Sequence, residues 1–189
     1  MIFRCAAESE LPRLKEIFGL FGDDAEYIDC FFSDMFSSEN FLVAEENGEP
    51  ASMMALFPCT LVLPEGRFRI SYLYGFCTAK EYRGAHIGTS LLKYASVYCR
   101  SRGDAGIALL PAEGWLTDYY KKHGYHEAFK PEKDESSYIE YPEYYLAHVR
   151  RFEDAGSSAG SGADDAPRGM FLPLSDIPQF NAYMAYPMD

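Results

Sequence analysis

Between Phe68 and Arg102 the sequence changes period, and that change constrains the fold more than any other stretch of the chain. Phe68-Arg69-Ile70-Ser71-Tyr72-Leu73-Tyr74-Gly75-Phe76 alternates as a β-strand does, showing Phe68, Ile70, Tyr72, Tyr74 and Phe76 to one face. Ile87, Leu91, Leu92, Ala95 and Cys99 then recur at helical spacing, which predicts a helix to about Arg102 with Gly103 as its stop. The link between the two is Tyr82-Arg83-Gly84-Ala85-His86-Ile87-Gly88. A strand that feeds a glycine-bearing turn into a helix gathers unpaired backbone N–H groups and the positive end of the helix dipole at one place. An anionic diphosphate fits there. Gly84 and Gly88 allow ligand and strand to come close to the backbone, and Arg83 adds a forked donor. The turn is neither a Walker A loop nor a Gly-x-Gly-x-x-Gly dinucleotide fingerprint.

The flanking sequence supplies the remaining elements. Ile2 to Ala6 reads as a short strand, and Ser9 can cap a helix from Leu11 to about Leu20. A second helix from about Ala25 to Met35 places Ile28, Phe31, Phe32 and Met35 on one stripe, expected to face the core. Asn40 to Glu46 and Pro50 to Phe57 form a hairpin around Asn47-Gly48. Ala105 to Leu110 has the continuous apolar run of a buried strand, and Gly114 to His123 is a helix closed by Gly124 before a strand that begins at Tyr125. The order is β-α-α-β-β-β-α-β-α-β.

Residues 1–152 are expected to form one domain, 153–169 a flexible linker of Gly, Ser, Ala and Asp, and 170–189 a tail. In that tail Met170 to Leu174 and Tyr183 to Tyr186 read as strands that return to dock on the sheet. A chain of 189 residues, 48% of them apolar and 16% aromatic, buries one substantial core. Its net charge of -12 has the wrong sign for coating phosphate backbones, so nucleic acid is not expected as a partner. Cys5, Cys30, Cys59, Cys77 and Cys99 are scattered without a Cys-x-x-Cys pair, which predicts buried free thiols and no metal. Neither a secretion signal nor a membrane span is evident, so a cytoplasmic protein with no membrane partner is expected.

Arg83-Gly84-Ala85-His86-Ile87-Gly88 resembles the Arg/Gln-x-x-Gly-x-Gly/Ala motif of the GNAT superfamily of acyl-CoA-dependent N-acyltransferases. A second segment, Asp118-Tyr119-Tyr120-Lys121-Lys122-His123-Gly124-Tyr125, is similar to the family's Phe-Tyr-Glu-Lys-Leu-Gly-Phe. The resemblance runs from about Met1 to Phe129. It implies an α/β (α+β) fold with a mixed, mostly antiparallel central sheet flanked by helices, in the order read above, followed by C-terminal strands. It also implies acetyl-CoA as co-substrate, with no metal, and the primary amine of a small molecule, peptide or protein as acceptor. It also allows a homodimer.

Residue by residue, the resemblance assigns cofactor contacts to Phe76, Cys77 and Thr78 on the strand and to Arg83, Gly84, Ala85, His86, Ile87, Gly88 and Thr89 on the turn and helix. Phe76 and Thr78 are the backbone partners expected for the pantetheine amides. A backbone donor near Phe76 or Cys77 would stabilise the developing oxyanion. Tyr120 takes the place of the general acid that protonates the leaving thiolate, and Tyr119 is structural. For the general base the sequence offers Glu26, Asp24, Tyr72 or Tyr74 through water, and the terminal carboxylate at Asp189. His123, His126 and His148 show no partner spacing. Two residues depart from the family pattern. His86 stands where the motif has its central glycine, harmless if its backbone is helical and costly if φ is positive. Glu113 stands where many relatives have an asparagine, and an ionised carboxylate cannot donate a hydrogen bond. The alternative to an enzyme is a catalytically degenerate acyl-CoA-binding sensor or interaction module.

Overall fold

The computed structural model describes residues 1–130, 132–153 and 168–185. Residues 154–167 of the expected linker, Tyr186 of the expected closing strand and the Asp189 carboxylate lie outside them. The chain divides into two compact units, Met1–Phe57 with Leu73–Tyr98, and Pro58–Tyr72 with Cys99–Asp189.

In the first unit β1 (Ile2–Cys5) leads into α1 (Leu11–Phe18) and α2 (Ala25–Met35). α1 is shorter than its periodicity predicts, because a 3-10 turn takes over at Gly19 and left-handed Gly22 (φ 96°) ends it. β2 (Phe41–Glu46) pairs antiparallel with β1, Ile2 opposite Glu45 and Cys5 opposite Leu42. The Asn47-Gly48 turn, with φ of 53° and 87°, then reverses the chain into β3 (Glu49–Leu63). β3 passes straight through Pro58, where the sequence reading ends it; proline reads as a stop because it cannot donate to a ladder. The apolar stripes of both helices are buried: Leu14, Ile17 and Phe18 on α1, and Ile28, Phe31, Phe32 and Met35 on α2. Phe18, Phe31, Phe32, Phe41, Phe57 and Tyr74 interlock with neighbouring ring centroids 4.6 to 6.4 Å apart, forming the core of this unit.

β4 (Gly66–Thr78) follows β3 after the two-residue turn Pro64-Glu65. Its alternation does not persist to Phe76 as the sequence predicts. Gly75 adopts φ +58°, and Tyr74, Gly75 and Phe76 are all half-buried instead of alternating. A side chain is excluded there, because a Cβ on Gly75 would stand 2.9 Å from Phe18 Cε2. α3 (Ile87–Ser101) follows the glycine-bearing turn.

The second unit adds β5 (Gly106–Leu109), α4 (Gly114–Lys121), β6 (His126–Glu127), β7 (Phe129–Lys130), β8 (Tyr138–Glu140), α5 (Glu143–Glu153), β9 (Met170–Pro173) and β10 (Ala182–Tyr183). Among the described residues the strands run in the order β6-β9-β5-β4-β3-β8-β10-β7 in a mixed, mostly antiparallel sheet. β5 lies parallel to β4, with Ser71 opposite Ile107 and Tyr72 opposite Ala108. β9 pairs antiparallel with β5 on one side and β6 on the other. The Phe171 ring fills the space a Cβ at Gly106 would occupy. The sequence reading has no helix where α5 stands. Asp104, its side chain fully enclosed, accepts from Arg69 Nε at 2.8 Å, Ser71 Oγ at 2.7 Å and Arg102 Nη2 at 3.2 Å. That pairing satisfies a buried charge and ties the end of α3 to the first half of β4.

Gly75→Ala is expected to destabilise the protein by about 2 to 4 kcal/mol, combining left-handed strain with a clash against Phe18. Urea denaturation checks this. In a Phe18→Leu background the clash is relieved and the penalty of adding the alanine should fall, leaving about 1 kcal/mol of backbone strain; an unchanged penalty would mean that the ring does not set it.

Candidate active site

β4 ends on Phe76, Cys77 and Thr78, and the next residues turn the chain into α3. A 3-10 turn over Lys80–Tyr82 is followed by extended Arg83 (φ −70°, ψ 152°), left-handed Gly84 (φ +82°) and left-handed His86 (φ +58°). Gly84 takes up its angle without steric cost, whereas His86, the residue in the motif's glycine place, holds a conformation that costs an L-residue about 1 kcal/mol. The helical alternative for His86 is therefore overturned. The His86 carbonyl accepts from Ser90 N at 3.0 Å, which makes His86 the N-cap of α3.

No acidic residue stands in the first turn of α3, so the positive end of the helix dipole is not offset there. Arg83, Gly84, Ala85 and His86 are exposed, Ile87 is buried, and Gly88 and Thr89 are half-buried. An exposed turn with two left-handed residues ahead of a fifteen-residue helix can receive an anionic group. Gly88 sits where the helix touches the strand: a Cβ there would fall 2.8 Å from Thr78 Oγ1 and 3.3 Å from Phe76 Cζ.

Arg83 is read from the sequence as a phosphate donor, and its Nε is bonded at 3.1 Å to the Thr78 carbonyl. The guanidinium is thus held against the strand end. Cys77 is buried, and burial pushes its thiol up despite the opposing pull of Arg83. A thiol so placed stays protonated near neutrality, which suits a packing role better than a nucleophilic one.

The base candidates separate by environment. Asp24 caps α2, its Oδ1 accepting from Tyr27 N at 2.8 Å, so its carboxylate serves the helix. Glu26 follows in the first turn of α2 and is exposed. Tyr72 is buried edge-on against Tyr141 and Tyr145. Tyr74 packs on Phe18, Phe31 and Phe57, and its hydroxyl stands 3.5 Å from that of Tyr27. The sequence reading does not single out Tyr27 or Asp23. Burial raises the Tyr27 phenol above its usual value, with Asp23 adding to it, and burial together with Asp24 raises the Asp23 carboxyl. Asp23 stands outside the helical stripe, so periodicity carries no signal for it.

Tyr120 lies on α4, one turn before left-handed Gly124 (φ +87°). Tyr125 N closes on the Tyr120 carbonyl at 3.2 Å. The Tyr120 ring, 6% exposed, packs edge-on between Tyr119 and Tyr125 at centroid distances of 5.3 and 5.4 Å. Burial drives its phenol well above the ordinary value, so it keeps its proton throughout the physiological range. Tyr119 stacks edge-on against His123 at 4.8 Å. Glu113 caps α4 in position only: it makes no side-chain bond to the helix backbone, and its carboxylate accepts the indole N–H of exposed Trp115. His126 is exposed, and His148 is buried against Phe152. Among the described residues no group of His, Cys, Asp and Glu could hold a metal ion, and no helix is long and apolar enough to cross a membrane.

A family model described as "Acetyltransferase (GNAT) domain" matches residues 3–128. No curated protein sequence matches the chain. Among solved structures, a GCN5-related N-acetyltransferase from Anabaena variabilis is similar with a TM-score of 0.60 and 21% identity, covering 67% of this chain and 32% of its own. The chain thus spans about a third of that relative's length. A GNAT family acetyltransferase from Brucella melitensis, solved in complex with acetyl-CoA, aligns with a TM-score of 0.54 and 19% identity over 76% of this chain and 97% of its own. Glucosamine-6-phosphate N-acetyltransferase from Arabidopsis thaliana aligns with a TM-score of 0.53 and 19% identity over 65% and 89%. These likenesses bear on the fold, and the match over residues 3–128 carries the assignment: the chain belongs to the GNAT family of acetyltransferases.

Proposed function

We propose that the protein is an N-acetyltransferase that moves an acetyl group from acetyl-CoA to the primary amine of a small molecule or peptide. The observation that carries this reading is the exposed turn of Arg83, Gly84 and His86 at the start of α3, set directly against the end of β4, in a chain of this family. Bound there, acetyl-CoA supplies an acetyl group already activated as a thioester. The amides of the turn and of the first helical turn, through Thr89, receive the pyrophosphate. The backbone of Phe76 and Thr78 pairs with the pantetheine arm, and a backbone donor near Phe76 or Cys77 meets the charge that develops on the thioester oxygen.

Tyr120 holds a proton on its phenol and gives it to the departing thiolate. A primary amine with a pKa of about 10 must lose a proton before it attacks. Glu26 is the proposed acceptor of that proton, since Asp24 is committed to its helix cap. The net charge of -12 favours a cationic amine over an anionic one as acceptor. One specific pair of observations favours the second reading, a catalytically degenerate acyl-CoA-binding sensor or interaction module. His86 is strained where the motif has glycine, and the Glu113 carboxylate is turned to Trp115.

Release of coenzyme A thiol from acetyl-CoA, measured with a panel of primary amines, separates the two readings. Turnover supports the enzyme, and ligand-induced stabilisation without turnover supports the binder. Tyr120→Phe is expected to lower kcat by about 100-fold or more while the Kd for coenzyme A changes less than about twofold; full turnover in that variant would remove Tyr120 from the mechanism. His86→Gly takes an exposed imidazole away from the mouth of the turn and relieves its backbone. Calorimetry is expected to show coenzyme A binding roughly threefold to tenfold tighter, a gain of about 1 kcal/mol. An unchanged Kd would mean that the histidine is neutral for the cofactor.

A further inference from the structure

Ser52 lies on β3, away from every motif, and is fully buried. Buried serine hydroxyls need partners, and this one reaches sideways to the end of β4. Its Oγ donates to the Cys77 carbonyl at 2.8 Å and stands 2.9 Å from Thr78 Oγ1. A hydroxyl has one hydrogen, so in the second contact Thr78 must be the donor. The result is a directed relay, from the Thr78 hydroxyl to Ser52 and from Ser52 to the Cys77 carbonyl. Alongside it the two strands are clasped by Ala79 N donating to the Ala51 carbonyl at 2.9 Å.

The relay fixes two things at once. In a trans peptide the carbonyl and the following N–H point in opposite directions. Holding the Cys77 carbonyl toward Ser52 therefore aims the Thr78 N–H away from β3. The relay also fixes the rotamer of Thr78, whose Oγ1 is the atom that Gly88 at the start of α3 could not approach if it carried a Cβ. On the other side, Arg83 Nε holds the Thr78 carbonyl at 3.1 Å. Both peptide planes flanking Thr78 are thus set by side-chain bonds, one from β3 and one from the turn.

We infer that Ser52 is a positioning residue for the acyl-CoA site, orienting the Cys77–Thr78 peptide and the Thr78 side chain against which α3 and its anion-binding turn are seated. The inference rests on the acyl-CoA reading proposed above. Without the hydroxyl, the Cys77 carbonyl and the Thr78 hydroxyl lose their shared partner, and the end of β4 is no longer held in one orientation.

The test is coenzyme A binding by calorimetry together with steady-state kinetics in acetyl-CoA, on the full chain and on Ser52→Ala. The expected result is a Kd for coenzyme A and a KM for acetyl-CoA both raised about tenfold, with kcat changed less than about twofold. Ile17→Val, a core change in the same unit, serves as the comparison for simple destabilisation and should leave both constants unchanged. Thr78→Val removes only the donor of the relay and should raise the Kd about threefold. Combined with Ser52→Ala it should add nothing, because the two groups act through one chain of bonds. If Ser52→Ala does not fold, the Thr78→Val result decides. A lowered melting temperature with unchanged Kd and KM in Ser52→Ala, or additive effects of the two substitutions, would overturn the inference. Failure of the unsubstituted protein to bind coenzyme A would overturn the acyl-CoA reading itself, and this inference with it.

Discussion

The seating of α3 on the end of β4 is the contact on which the candidate site depends. It exists because Gly88 has no side chain: the strand presents Thr78 Oγ1 and the Phe76 ring where a Cβ would otherwise stand. That approach puts the helix N-terminus beside the last peptides of the strand. One short stretch of chain thus brings together a helix N-terminus and strand peptides, the two parts of the acyl-CoA site proposed above. The two left-handed residues of the turn, Gly84 and His86, follow from the same constraint, since the chain must reverse sharply to start a helix so close to the strand it has just left.

Much of this was legible in the sequence because it is written in local chemistry. The turn lies between an alternating segment and a helical stripe, and its glycines stand where the structure uses them. The stripes of α1 and α2, the Asn47-Gly48 hairpin and the Gly124 stop are likewise consequences of spacing and of backbone angles few residues accept. What stayed hidden depends on neighbours distant in the chain. Gly75 looks like one more polar place in an alternating strand, and only the position of Phe18 shows that a side chain is excluded there. Pro58 looks like a strand end, yet β3 continues to Leu63. α5 buries Tyr145, His148 and Val149 at spacings of three and four, a stripe that the sequence reading does not take up.

The candidate site divides along the same line. Arg83 to Thr89 could be named from spacing and family resemblance. Nothing local marks Ser52, because its partners are Cys77 and Thr78 on another strand. Nor does anything local mark Asp23 and Tyr27: burial raises both, with Asp24 adding to the shift of Asp23 and Asp23 to that of Tyr27. Asp24 and Glu26 look equivalent in sequence, and one hydrogen bond to Tyr27 N separates them. Carboxylates acquire roles from their surroundings, and surroundings are a property of the fold.

The second unit shows how a strand from near the end of the chain completes a sheet begun much earlier. β5 is apolar and buried along its whole length, with β4 on one edge and β9 on the other. During synthesis β4 is available as soon as β5 is made, while β9 emerges only after α5 and residues 154–167. For that interval one edge of a sticky strand has unpaired N–H and C=O groups, the condition that invites pairing with another chain. At Gly106 the Phe171 ring of β9 occupies the space a Cβ would take. The stretch from Met170 to Pro173 therefore covers an otherwise open strand edge as well as completing the sheet.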